Sequence, residues 1–229
     1  MAAVTLRLLE DVIPVGAGPA YLPHAERALY VVEGDVTVEF PDGAQNQQAG
    51  GAWLGAGPIA LSATGADARV WRWEMVGPAP NRDGRIASAP AMSSWVLLSA
   101  TLDLDPAQEW LMRCDRVSFP PAGVAWTHVH QGPGIRCCQN GEITIETEGR
   151  RSTYGPGEAW LELGFEPVLA PTTPDVPTCF IRCFLLPRAC RGRSSIRYVH
   201  AEDVAREKVQ QYFVFGERFV ALPTATTQD

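Results

Sequence analysis

The chain has 229 residues, 46% of them hydrophobic and 20% charged, a composition that supports packed cores and leaves little room for long disordered tracts. Its 26 acidic residues stand against 19 basic ones for a formal net charge of -7, without long runs of either sign, so nucleic acid is not expected as a partner. The opening MAAVTLRLLEDVIPVG has one Arg, an early acidic pair and no long apolar run. It reads neither as a signal peptide nor as a membrane span, and the expectation is a cytoplasmic protein without a membrane partner.

Taken in chain order, the first clear element is a strand in which Val36, Val38 and Phe40 alternate with Asp35, Thr37 and Glu39, closed by the turn Pro41-Asp42-Gly43. The region 77–91 is rich in Pro, Ala, Asn, Asp and Gly, as expected of a connection between domains. Strand-like stretches at 95–104 and 110–119 are expected to open the second half. There Ile143 and Ile145 alternate with Glu142, Thr144 and Glu146 before the turn Gly149-Arg150-Arg151. Near the C-terminus, AEDVAREKVQQ at 201–211 is the one short helix expected, and the aromatic strand YFVF follows it. Such a tail is expected to pack over a neighbouring barrel or a second chain.

The two halves repeat each other. GDVTVEF from Gly34 matches GEITIET from Gly141, and AGGAWL ending at Leu54 matches PGEAWL ending at Leu161, both at an offset of 107. Without gaps, eight of 24 positions from Gly34 to Gly57 are identical in the second copy, where chance gives about one or two. A structural duplication of small all-β domains follows, with boundaries expected at 1–88 and 89–229. All six cysteines (Cys114, Cys137, Cys138, Cys179, Cys183, Cys190) lie in the second half, with no CxxC pair. They read as reduced thiols packed in a core.

The stretch GVAWTHVHQGPGIRCCQNGEI from Gly123 resembles the first motif of the cupin superfamily, in which a glycine precedes a His-x-His pair and a later glycine turns the next strand. YGPGEAWLELGFEPV resembles the second cupin motif. With the repeat, the resemblance covers roughly 20–75 and 110–187. It implies a bicupin: an all-β chain of two tandem double-stranded β-helix (jelly-roll) barrels with a short C-terminal helix. It also implies a homodimer. It does not fix a reaction, because cupins include dioxygenases, decarboxylases, isomerases, lyases, sugar-binding regulators and storage proteins.

On a strand, alternate side chains share a face, so His128 and His130 point the same way and form one edge of a metal site. Cupins add a Glu four or five residues later and a His from the second motif. This chain has Gly134 and Ile135 at the first place and no His at the second. The repeat supplies a replacement, Glu162, which stands where the first copy has Gly55 and shares strand parity with Trp160. Glu162 reads either as the third ligand or as a surface carboxylate or arginine partner. Glu166, in a two-residue insertion after Gly164, is a weaker candidate. Gln131 reads as an outer-shell or direct ligand, and Arg136 as a clamp for a substrate carboxylate or a salt bridge at the barrel rim. Two histidines and a carboxylate suit Fe(II) first, with Mn, Ni or Zn also accommodated.

In the first copy, Tyr21 and Pro23 occupy the places of His128 and His130, and His24 that of Gln131. A vestigial site is expected there, with His24 and Glu26 reading as a surface pair or, less favoured, as a minor site. The expected function is a metal-dependent bicupin enzyme acting on a small organic substrate, dioxygenase-like, with Glu162 and Arg136 in the catalytic set. The alternatives are a non-catalytic small-molecule-binding cupin and a metal-dependent isomerase or lyase.

Overall fold

A computed structural model of the chain describes residues 1–77 and 91–223, and strands dominate both parts. Two compact units form: the first spans Met1–Ala107 and takes up the chain again at Val220, and the second is Gln108–Phe219. The expected boundary at 88/89 and most of the expected linker fall outside the described residues. No helix among the described residues is long and apolar enough to cross a membrane.

The first unit contains β1 (Ala2–Ile13), β2 (Ala20–Leu22), β3 (Glu26–Phe40), β4 (Gly43–Gln48), β5 (Ala52–Gly55), β6 (Ile59–Val76) and β7 (Ser93–Leu104). They form one sheet in the order β4-β3-β6-β1-β7, with β2 on β6 and β5 on β3. Strands β3 and β6 are long enough to serve both faces of a barrel, and their register shifts around Glu33 and Gly34 bend the pair. Leu29, Val31, Val36, Val38, Trp53, Leu61 and Val70 meet in the apolar core. β7, expected to open the second half, belongs to the first unit instead. It pairs with β1 from Ala2↔Leu104 to Val12↔Ser93, so the first unit closes on a strand that comes after the repeat.

The second unit contains β8 (Trp110–Phe119), β9 (Val124–His130), β10 (Gly134–Asn140), β11 (Ile143–Thr147), β12 (Arg150–Tyr154), β13 (Ala159–Glu162), β14 (Val168–Pro171), β15 (Thr178–Pro187), β16 (Ile196–Tyr198), the helix α1 (Ala201–Ala205) and β17 (Gln211–Val220). Two five-stranded sheets result, β13-β10-β15-β8-β17 and β12-β11-β14-β9-β16. Val117, Phe119, Ile143, Ile145, Trp160, Val168 and Phe180 fill the space between them. The fold is the tandem jelly roll expected from the sequence. The helix is shorter than the expected 201–211: Arg206 already has extended backbone (φ -68, ψ 151). The Lys208 ammonium turns back to donate to the carbonyls of Asp203, Val204 and Arg206, which ends the helix after little more than one turn.

The duplication holds in backbone geometry. Gly34 and Gly141 both have φ +72, Gly50 and Gly157 +83 and +82, and Gly57 and Gly164 +95 and +98. β5 and β13 match residue for residue at the 107 offset.

The interiors differ. In the first unit Arg72 bridges Asp11 (2.6 Å) and Glu74 (2.6 Å), and Glu74 also receives Arg7 (2.7 Å) and Arg27 (3.1 Å). Burial pushes the Glu74 carboxyl up, but Arg72, Arg27 and Arg7 outweigh it and hold it down at about 2. Both carboxylates of this network, Asp11 and Glu74, are thus held by arginines.

Candidate metal centre

His128 and His130 sit on β9, between β14 and β16. Val168 lies opposite His128, and Ile196 opposite His130. Both imidazoles face the barrel interior and are only 5% and 6% exposed. Each is oriented from behind. His128 Nδ1 lies 2.7 Å from the Trp126 carbonyl, so it carries the N–H and leaves Nε2 with a lone pair. His130 Nδ1 lies 3.2 Å from Ser195 Oγ, a hydroxyl able to donate or accept, and its Nε2 faces Glu162. The ring centroids are 4.9 Å apart at 80°.

Glu162 comes from β13, opposite Gly134 of β10. Its Oε1 accepts from Trp160 Nε1 at 2.9 Å, and its Oε2 accepts from Arg136 Nη2 at 2.7 Å and lies 3.9 Å from His130 Nε2. One ligand atom from each of His128, His130 and Glu162 lies within 4.8 Å of the others, and the three form the metal-type cluster found among the described residues. The cluster borders a space of about 20 Å³ lined by Val117, Phe119, Ile143, Ile145 and Phe180, room for one water or one ion. Close backbone packing makes glycine necessary at Gly134 and Gly164 in the strands around the cluster. A Cβ at Gly134 would stand 2.6 Å from the Cys183 carbonyl, and one at Gly164 2.4 Å from the Gly132 carbonyl.

The protonation states suit a ligand role. Burial lowers the His128 pKa, with Glu162 only partly opposing, and burial with Arg182 nearby holds His130 well below its usual value. Both rings are therefore neutral at neutral pH, as metal-binding imidazoles must be. Burial would push the Glu162 carboxyl up, but Arg136, then His128 and the Trp160 hydrogen bond, hold it below the usual carboxylate range. Burial brings the Arg136 guanidinium down to about 10 despite Glu162.

Four of the residues read from the sequence thus converge: His128, His130, Glu162 and Arg136. Arg136 is not presented to a ligand. It is 1% exposed, lies over Phe184 at 4.7 Å, and spends its donors on Glu162 and the Gly134 carbonyl, so the structure assigns it to the carboxylate rather than to a substrate. Gln131 does not reach the cluster. Its Oε1 accepts from Arg197 at 3.0 Å in an exposed position, because the strand ends at His130 and the side chain leaves the inward face. Glu166 is half-buried and outside the cavity lining. All six cysteines are free thiols, and burial pushes those of Cys138 and Cys183 up, the former to about 12, which suits packing rather than redox chemistry.

Sequence reading missed Ser195, Tyr212 and the buried pair Arg182–Asp115 (2.6 Å) beside the cluster. Arg182 pairs with Arg136 on β10 as Arg72 pairs with Leu29 on β3, and 29 and 136 differ by 107, but 72 and 182 differ by 110, so the likeness is visible in the strand pairing and not in the ungapped repeat. Each barrel carries a buried Arg–Asp pair at this place, Arg72–Asp11 in the first. Ser195 lies beyond the repeat and had no signal.

The corresponding place in the first unit is built otherwise. In the second unit the His130 amide donates to the Gly164 carbonyl at 2.7 Å. The equivalent residue Pro23 has no N–H, and the Gly57 carbonyl is instead satisfied by Arg27 Nη1 at 2.8 Å, while Nη2 reaches the Pro23 carbonyl at 2.6 Å. A Cβ at Gly55 would stand 2.1 Å from the Trp53 ring, so the place of Glu162 is filled by an indole. Tyr21 and His24 are exposed.

No described protein family and no curated protein matches the chain. Solved structures do. A candidate glyoxylate-induced protein of Pseudomonas aeruginosa is 17% identical, with a TM-score of 0.54 over 80% of this chain and 74% of that one. AerE of Microcystis aeruginosa is 11% identical with a TM-score of 0.58, over 79% and 88%. The oxalate decarboxylase of Lactobacillus farciminis, solved as a formate complex, is 10% identical with a TM-score of 0.57, over 87% and 80%. At these identities the likeness is one of fold.

Proposed function

We propose that the second barrel holds a divalent first-row metal ion on His128, His130 and Glu162, and that the protein is a metal-dependent enzyme acting on a small organic acid, in the manner of an oxidoreductase. The observation that carries this reading is the convergence of two neutral, back-oriented imidazoles and one ionised carboxylate on a space of one-ion size. That donor set suits Fe(II), Mn(II), Ni(II) or Zn(II), with Fe(II) the first choice. The likeness in fold to an oxalate decarboxylase supports an acid as substrate.

A bound ion supplies Lewis-acid chemistry and, if redox-active, electron transfer. The chain's own residues do the rest. The Trp126 carbonyl fixes the His128 tautomer with its Nε2 lone pair inward, and Ser195 holds the His130 ring in its orientation. Trp160 and Arg136 hold the two Glu162 oxygens in place, and the walls of Phe119, Phe180, Ile143 and Ile145 exclude bulk water. The first unit, with Arg27 and Trp53 in the equivalent place, serves as a scaffold.

A second reading has a specific observation behind it. Arg136 already balances Glu162, so the cavity is electrically satisfied without an ion and could bind a small molecule without turnover. One experiment separates the two. Protein loaded anaerobically with Fe(II), Mn(II), Ni(II) or Zn(II) is supplied with a panel of small carboxylic acids while dioxygen uptake and carbon dioxide release are followed. Metal-dependent turnover that disappears in His130→Ala is expected; acid binding with no turnover under any metal leaves the binding cavity as the answer.

A further inference from the structure

Beside the histidine cavity lies a larger one of about 470 Å³ within the second unit, inside the size range of small-molecule sites. The two spaces share Arg182 and Tyr212 in their linings. Ser195, the residue that orients His130, also lines the larger one. The two spaces therefore adjoin at Arg182 and Tyr212.

The chamber wall formed by 191–195 is held in shape. Arg113 Nη2 donates to the Cys190 carbonyl at 2.6 Å and the Arg193 carbonyl at 2.9 Å, and Glu217 accepts from the Gly192 amide at 3.0 Å. Arg113 and Glu217 are themselves paired at 2.5 Å. The chamber thus needs little ordering when a ligand enters.

Its charges are unevenly spent. Arg113 is matched by Glu217, and Arg182 by Asp115. Arg193 at the rim is exposed, and among the described residues its guanidinium has no ion pair or hydrogen bond. This uncompensated cation and Ser194, next in the chain, line the chamber together with Tyr212, Val214 and Ile196. A planar guanidinium with free donors recognises a carboxylate, and the aromatic and aliphatic side chains recognise an apolar body.

Resting on the metal-centre reading, we propose that this chamber selects the substrate: a monocarboxylate with an apolar or aromatic body. The carboxylate sits on Arg193 at the rim, the body lies against Tyr212, Val214 and Ile196, and the far end points past Arg182 to His128 and His130. The acid group anchors the molecule, and the end that reacts is the one remote from it.

The test is calorimetric titration of the full chain with phenylbutyrate, its amide phenylbutyramide, and butyrate. Phenylbutyrate is expected to bind at least about tenfold more tightly than either of the others, since the amide lacks the charge and butyrate the body. Arg193→Gln is expected to weaken phenylbutyrate at least about tenfold and leave the amide unchanged, with an unaltered melting temperature because Arg193 is exposed. Equal binding of acid and amide, an acid affinity untouched by Arg193→Gln, or no heat from the acid up to about 10 mM overturns the proposal. Repeating the titration after chelator treatment separates the two ideas. An acid affinity retained without metal supports the chamber whatever becomes of the metal centre, and a metal-loaded protein that ignores the acid refutes the chamber while the centre stands.

Discussion

Glu162→Ala is expected to lower the stability of the second unit by about 3–5 kcal/mol in chelator-treated protein, because it leaves the Arg136 guanidinium buried without its partner. The loss exceeds that of an exposed ion pair, which is worth about 0–1 kcal/mol, since neither member here can turn to water. Glu162→Gln should cost less: it keeps an acceptor for the Trp160 indole and removes only the charge. Glu166→Ala, half-buried and outside the cluster, serves as the control and should stay within about 0.5 kcal/mol. Urea unfolding of the three variants checks the order. A loss below about 1 kcal/mol in Glu162→Ala would mean that Arg136 is not desolvated as described.

Arg136→Met is expected to tighten metal binding, by at least about tenfold. Two effects oppose each other here. Arg136 orients Glu162, and groups that orient a ligand typically contribute about 10–100-fold in affinity. Against this, a guanidinium beside a divalent ion repels it: two unit charges about 4 Å apart cost about 4 kcal/mol at an effective dielectric constant of about 20, and a double charge doubles that. Repulsion wins, and Trp160 still steadies the carboxylate from its other oxygen. Methionine keeps the contact with Phe184 on which Arg136 now rests. Mn(II) titration followed by electron paramagnetic resonance reads the change. Weaker binding in the variant would show that orientation of Glu162, with Asp115 compensating the charge, is the role of Arg136.

Much of this was legible in the residues. The alternation at 36–40 and 143–147 gave strands, and the 107-residue offset gave the duplication, because strand parity and turn glycines are local properties that survive divergence. The same offset placed Glu162 opposite the histidines, and parity put His128 and His130 on one face. What stayed hidden depends on contacts between distant segments. β7 reads as a strand in either barrel, and only its pairing with β1 assigns it to the first unit. Arg136 has the look of a substrate clamp until Glu162 is seen to occupy it. Gln131 follows the His pair by one residue, but β9 has ended there. The helix expected to 211 stops at Ala205 because Lys208 folds back on it, an interaction no periodicity reports. The exchange of Pro23 and Arg27 for His130 and Gly134 is written plainly in the aligned copies. Its meaning emerges only when one carbonyl, that of Gly57 or Gly164, is followed to its donor.

The metal centre itself is tested most directly by elemental analysis of untagged protein, as purified and after anaerobic Fe(II) and Mn(II) addition, alongside His130→Ala. Close to one first-row metal ion per chain in the wild type, lost in the variant while its strand content is retained, is the expected result. Wild-type protein that takes up no metal under either condition, or a His130→Ala variant that holds as much as the wild type, contradicts it.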